Sequence, residues 1–148
     1  MADTDAEPEL PDDIYDKVAI LSEEGNEKFD DDDFAGAIDL WQSALKILPE
    51  PKHIWESSLW LHASIGDAWR KLEDNDKALH SFTMAHRSAD GHTHPFVLFS
   101  LGITLYDLGN LEGAEDYLLR AYMIDGSRMF ENEDPKYFQL LKDKKYIK

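Results

Sequence analysis

The chain has no cysteine among its 148 residues. That excludes disulfides, a thiolate nucleophile and cysteine-ligated zinc or iron–sulfur sites. Positive charge is scarce. Fifteen Lys and Arg stand against 31 Asp and Glu, a formal net charge of −16. Such a balance argues against nucleic acid or an anionic membrane as the main partner, because both would be repelled. No apolar run approaches the ~18 residues of a membrane span. The opening residues, MADTDAEPELPDD, lack the basic and apolar regions of a signal peptide. A cytoplasmic protein is the resulting expectation. Catalytic signatures are missing too: no HExxH, GxSxG, P-loop or GxGxxG occurs. We therefore expect no enzyme, no catalytic residue and no cofactor.

What is present is enough to fold. Hydrophobic residues make up 43% of the chain and aromatics 11%, which suits one domain or a short repeat array. The charge is unevenly spread. Asp and Glu dominate the first 33 residues, whereas the last stretch, PKYFQLLKDKKYIK, carries five lysines and one aspartate. Residues 1–12, with Pro8 and Pro11 and few apolar anchors, read as a flexible acidic arm.

From Ile14 onward the apolar pattern is helical. Ile14, Val18, Leu21 and Gly25 share one face, and a second run extends from Phe34 through Trp41 to Leu48, where Pro49 ends it. The segments SSLWLHASIGDAWRKL and DNDKALHSFTMAHRS form a second helical pair. FVLFSLGITLYDLG and NLEGAEDYLLRAYMI form a third. A last short helix is expected at about 135–143, with Pro135 in its first turn.

The three pairs repeat position by position. A glycine lies within each first helix, at Gly25, Gly66 and Gly102. Twelve residues later comes an alanine, at Ala37, Ala78 and Ala114, and seven further a second, at Ala44, Ala85 and Ala121. Three residues before that second alanine stands a large apolar side chain, Trp41, Phe82 or Leu118. Antiparallel helices approach closely only where small residues occupy the crossing and bulky ones fill the neighbouring holes. These segments resemble the tetratricopeptide repeat.

The resemblance implies an all-α fold. Three helix-turn-helix repeats, at about 14–49, 52–90 and 94–126, would form a short right-handed solenoid within a domain spanning 13–148. The helix at 135–143 would cap it, with Tyr137, Phe138, Leu140 and Leu141 covering the apolar face of the last repeat. The glycines are 41 and 36 residues apart, against the usual 34 of this family. The extra residues fall in PEPKHIWESS and ADGHTHP, which predicts longer helices or loops there.

The run Asp30–Asp33 invites a metal reading. A calcium loop, however, needs ligands at alternating positions, a glycine at the turn and a distal glutamate. In the repeat frame the run is instead the turn between two helices, with aspartate capping the second. The corresponding turns are Glu73–Asp76 and Gly109–Asn110. The six histidines show no ligand spacing, so no metal site is expected.

The remaining candidate is a groove lined by the first helix of each repeat. The resemblance carries partner-binding positions over to Asn26, Phe29 and Asp30, to Trp60, Asp67 and Arg70, and to Phe96, Phe99, Tyr106 and Asp107. Ser22, Ala63, Lys71 and Ile103 fall in the same frame. Its aromatics suit anchoring a partner segment; alternatively, some pack against the C-terminal helix or one another. Relatives that clamp the carboxylate tail of heat-shock chaperones use Lys, Asn and Arg in the groove. Only Asn26 matches here. Asp67 stands where a second Asn belongs, and Ser22 and Phe96 stand where lysines belong, so that partner is disfavoured.

Beyond the repeat, LLRAYMIDGSRMFENEDPKYFQLLK resembles small acidic stand-alone repeat proteins of bacteria, some encoded beside polymorphic or type VI secretion toxins. That implies a protein partner, a basic toxin domain, which an immunity protein would neutralise by occluding its active site. Acidity fits such a partner, since complementary charge speeds capture. The alternative is a general adaptor or co-chaperone in a protein assembly.

Overall fold

A computed structural model describes residues 9–147, and the described part contains seven α-helices and no strand. They are α1 (Asp12–Asp30), α2 (Phe34–Ile47), α3 (Glu56–Lys71), α4 (Asn75–Arg87), α5 (Pro95–Asp107), α6 (Leu111–Asp125) and α7 (Pro135–Asp143). Three antiparallel pairs, α1–α2, α3–α4 and α5–α6, stack in chain order, and α7 packs on α6. This is a helical-hairpin solenoid with a terminal helix.

The repeated small and large residues meet as the spacing requires. All six repeat alanines are fully buried, as are Phe82 and Leu118, and Trp41 is nearly so. A Cβ built on Gly66 would lie 2.6 Å from the Phe82 ring, and one on Gly102 would lie 2.6 Å from Leu118. At Gly25 it would run into the Trp41 indole. Each glycine thus removes the one atom that would hold its two helices apart.

The three hairpin turns share one construction. A residue with positive φ comes first: Asp32 (63°), Glu73 (61°) or Gly109 (88°). A capping residue follows, and its side chain accepts from the amide three positions on. Asp33 accepts from Gly36 at 2.9 Å, Asp74 from Lys77 at 3.1 Å and Asn110 from Gly113 at 2.9 Å. Of the four aspartates, then, Asp30 ends α1, Asp31 and Asp32 make the turn, and Asp33 caps α2. The capping pattern explains a carboxylate at Asp33 without calling on a cation.

The inter-repeat insertions become short 3-10 turns at Lys52–Ile54 and Gly91–Thr93. Lys52 Nζ caps carbonyls at the end of α2, and the Trp55 indole donates to Pro49 O at 2.8 Å. The Ala89 amide donates to His53 O at 2.9 Å, so the two insertions brace each other. Most of the segment assigned to an acidic arm, residues 1–8, lies outside the described residues. Within the remainder, Leu10 packs on the first repeat, and α1 already begins at Asp12.

Apolar packing forms three clusters, and α3 and α5 each contribute to two. Leu61, Ile65 and Ala68 join the first repeat, whereas Leu59 and Ala63 join the second. Val97 and Leu101 complete the second, whereas Leu98, Phe99 and Ile103 join the third with Phe130, Tyr137, Leu140 and Leu141. This neighbour-to-neighbour linkage is what a repeat stack requires. It leaves every residue from Val97 to Thr104 buried.

Candidate binding groove

One face of α1, α3 and α5 carries a chain of connected cavities. The first, about 330 Å³, lies over Tyr15, Ser22, Asn26, Trp60 and Ser64. The next, about 380 Å³, is lined by Asn26, Phe29, Asp30, Trp41, Ser64 and Asp67. A third, about 530 Å³, extends from Phe29 and Asp67 past Arg70 and Lys71 to Phe96, Phe99, Met129 and Glu133. The last, about 490 Å³, is bordered by Arg70, Glu73, Tyr106, Asp107 and Lys136. All ten positions carried over from the repeat frame border this system. Helical periodicity alone places them on one face, because they recur at three, four and seven residues.

They do not have equal freedom there. Asn26 and Asp30 are exposed, Phe29 and Phe96 half-buried, and Trp60 is 45% exposed. Trp60 leans on His94, with ring centroids 5.0 Å apart, and on Phe96 at 6.4 Å. Phe29 stacks edge-on against Phe34 at 5.1 Å. Beneath these rings, Trp41 ties α2 to α1 by donating to Ser22 O at 3.1 Å.

The C-terminal end of the groove is occupied by the chain itself. Phe99 is only 3% exposed and meets Phe130 edge-on at 4.9 Å. Tyr106 meets Tyr137 in the same way at 5.2 Å. The Tyr137 hydroxyl donates to Asp107, 2.8 Å from either carboxylate oxygen. Asp107 also receives Arg70 at 3.0 Å and Lys136 at 3.3 Å, and its side chain is 18% exposed. Arg70 reaches Thr104 Oγ1 at 3.4 Å as well. Burial and the hydrogen bond to Asp107 together raise the Tyr137 pKa above its ordinary value, so the phenol stays protonated. Of the ten positions, Phe99 is therefore core, and Arg70, Tyr106 and Asp107 hold α7 against the second and third repeats. Ala63, placed in the groove by the frame, is also core, at 1% exposure.

Asp67 is the electrostatic exception. It lies mid-groove on α3, and among the described residues it accepts no hydrogen bond and joins no ion pair. Burial raises its carboxyl pKa to about 6, with Arg70 and Lys71 opposing and Glu133 adding to the rise.

The repeat frame missed several lining residues. Ser64 lies one turn beyond Trp60, and helical spacing alone would have found it. Met129, Asn132, Glu133 and Lys136 arrive from the segment after the third repeat, where the repeat pattern carries no signal.

The fold matches solved tetratricopeptide-repeat domains. The C-terminal repeat domain of a Plasmodium falciparum protein of the FK506-binding type aligns over 93% of this chain and 95% of that one, with TM-score 0.74 and 18% identity. The Yersinia enterocolitica type III secretion chaperone SycD, in complex with a peptide of the translocator YopD, aligns over 88% and 94%, with TM-score 0.69 and 16% identity. The first repeat domain of Spaghetti (RPAP3), bound to the HSP90 peptide SRMEEVD, aligns over 88% and 95%, with TM-score 0.66 and 19% identity. No family model and no curated protein matches the sequence. At such identities the likeness establishes a shared fold.

Proposed function

We propose that the protein is a non-enzymatic adaptor whose groove receives a segment of a partner protein. The observation that carries this reading is the open run of cavities from Tyr15 to Phe96, floored by Trp41 and Ser64 and flanked by exposed Trp60. Exposed aromatics around a groove are the usual anchors of peptide recognition. Two of the fold neighbours were solved with peptides of other proteins, which favours the general adaptor over a toxin-neutralising role. The finer reading, an immunity protein with a basic toxin partner, retains the support of the −16 charge and of its resemblance. A heat-shock carboxylate tail remains a poor fit, because Asp67 would face it with like charge.

Site-specific photocrosslinking in the native cell tests the adaptor. A benzophenone amino acid replaces Trp60 or Phe96 in the groove, or Met123, which is 74% exposed on α6. Capture of one protein from the two groove positions, but not from Met123, is the expected result, and the captured protein's identity separates an assembly from a toxin. Capture only from Met123 would remove the groove from the account.

A further inference from the structure

The middle of the groove places an acidic point beside an apolar one at a fixed separation. Trp60 and Asp67 are seven residues apart on α3, two helical turns, and so share a face about 10 Å apart. Between them lies Ser64, too small to block a backbone laid along the helix. Phe96 faces Trp60 from α5, while Asp30 borders the Asp67 cavity from α1.

Of the two cations that act on Asp67, Arg70 is already engaged. Arg70 holds Asp107 at 3.0 Å and reaches Tyr137, and Asp107 in turn takes Lys136. The groups facing Asp67 are Asp30 of α1, Arg70 and Lys71 of α3, and Glu133 of the link before α7. The α5 residues lining this part of the groove, Phe96, Phe99, Ser100 and Ile103, carry no charge. A half-buried carboxylate with no hydrogen bond or ion pair has lost water that the two nearby cations only partly replace.

We propose that the groove is selective for an extended segment of a partner protein that sets a lysine or arginine against Asp67 and an apolar side chain against the paired rings of Trp60 and Phe96. A segment in the polyproline II conformation advances about 3.1 Å per residue and returns to the same face every third residue, so the two anchors are three positions apart. This inference rests on the groove-binding reading and specifies its chemistry. Selectivity is the reverse of a carboxylate clamp: the segment brings the cation and the groove supplies the acid. Because acidification neutralises Asp67 near pH 6, affinity for the basic segment falls as pH drops from 7.5 to 5.5.

A random dodecapeptide phage library panned against the full chain at pH 7.5 is the test. Enriched peptides are then synthesised and titrated against wild type, Asp67→Asn, and the pair Trp60→Ala with Phe96→Ala. The expected peptides carry Lys or Arg three positions from an apolar residue. Their affinity drops tenfold or more in Asp67→Asn and falls between pH 7.5 and 5.5, while the melting temperature of that variant is unchanged or higher. Enriched peptides that are acidic, that need a free C-terminal carboxylate, or that bind Asp67→Asn as well as wild type overturn the selectivity and leave the groove standing. Peptides indifferent to loss of both aromatics, or no enrichment at all, overturn both. A concentration-dependent dimer that dissociates in Asp67→Asn would assign the groove to a second copy of the chain, also against the proposal.

Discussion

The two ends of the groove are built on the same face of successive first helices and meet opposite fates. In the second repeat, Trp60 and Asp67 border open cavities, one 45% exposed and the other half-buried without a partner among the described residues. In the third, Phe99, Tyr106 and Asp107 are taken up by Phe130, Tyr137, Lys136 and Arg70. A repeat presents the same face each time it occurs. Whether that face stays available is decided by residues elsewhere in the chain. Here the segment C-terminal to the third repeat turns back and fills one end, leaving the face of the first two repeats uncovered.

Four substitutions test this contrast. The largest effect belongs to the closed end. Leu141 is fully buried on the inner face of α7, so Leu141→Ala should lower unfolding free energy by about 3 kcal/mol. Denaturant titration measures this, and faster amide exchange in α7 should accompany it. The second effect has the opposite sign. Raising a carboxyl pKa from 3.8 to about 6 means that the folded state disfavours ionised Asp67. The folded protein binds the extra proton between those values, so this group weakens stability above pH 6 and ceases to do so below about 4. Asp67→Asn should therefore stabilise the fold at pH 7.5 by about 1–2 kcal/mol, a gain that vanishes as pH approaches 4. His62 works against Asp67 in the same window. Burial, with His80 adding to it, depresses its pKa from 6.5 to about 4, so stability falls as pH drops from about 6.5 to 4. In wild type the two nearly offset each other between pH 6 and 4. In Asp67→Asn the His62 decline should emerge in thermal melts across that range.

A smaller effect is expected at the link between the ends. Tyr137→Phe removes the hydroxyl shared by Asp107 and Arg70 but leaves their ion pair, a loss of about 1 kcal/mol in denaturant titration. The smallest is at the open end, where Trp60→Ala should move stability by less than about 0.5 kcal/mol while abolishing groove crosslinking. Comparable destabilisation by Tyr137→Phe and Trp60→Ala would erase the distinction between a closed and an open end.

Much of this was legible in the chain. Gly25, Gly66 and Gly102, with their paired alanines and the bulky Trp41, Phe82 and Leu118, announced both the hairpins and the atoms that meet at each crossing. The aspartate run was readable as a turn once the same turn was found twice more. The groove face was readable as well, because helical periodicity puts those ten positions together. Less legible was which of them stay free. Phe99 and Trp60 look alike as aromatics on a first helix; Phe99 aligns with core Ala63 and not with Trp60, yet nothing near it says that Phe130 will be its cover.

Sequence alone determined the helices, their pairing, the capped turns and the identity of the groove face. Those features depend on spacing within 40 residues, where steric fit and capping act locally. Tertiary structure decided that Arg70 is engaged, that Asp107 holds α7, and that Asp67 is desolvated without a partner. Such outcomes depend on distances between residues up to 67 positions apart. A carboxylate's cost is set by the water it loses and the cations within reach, and only the folded chain fixes both.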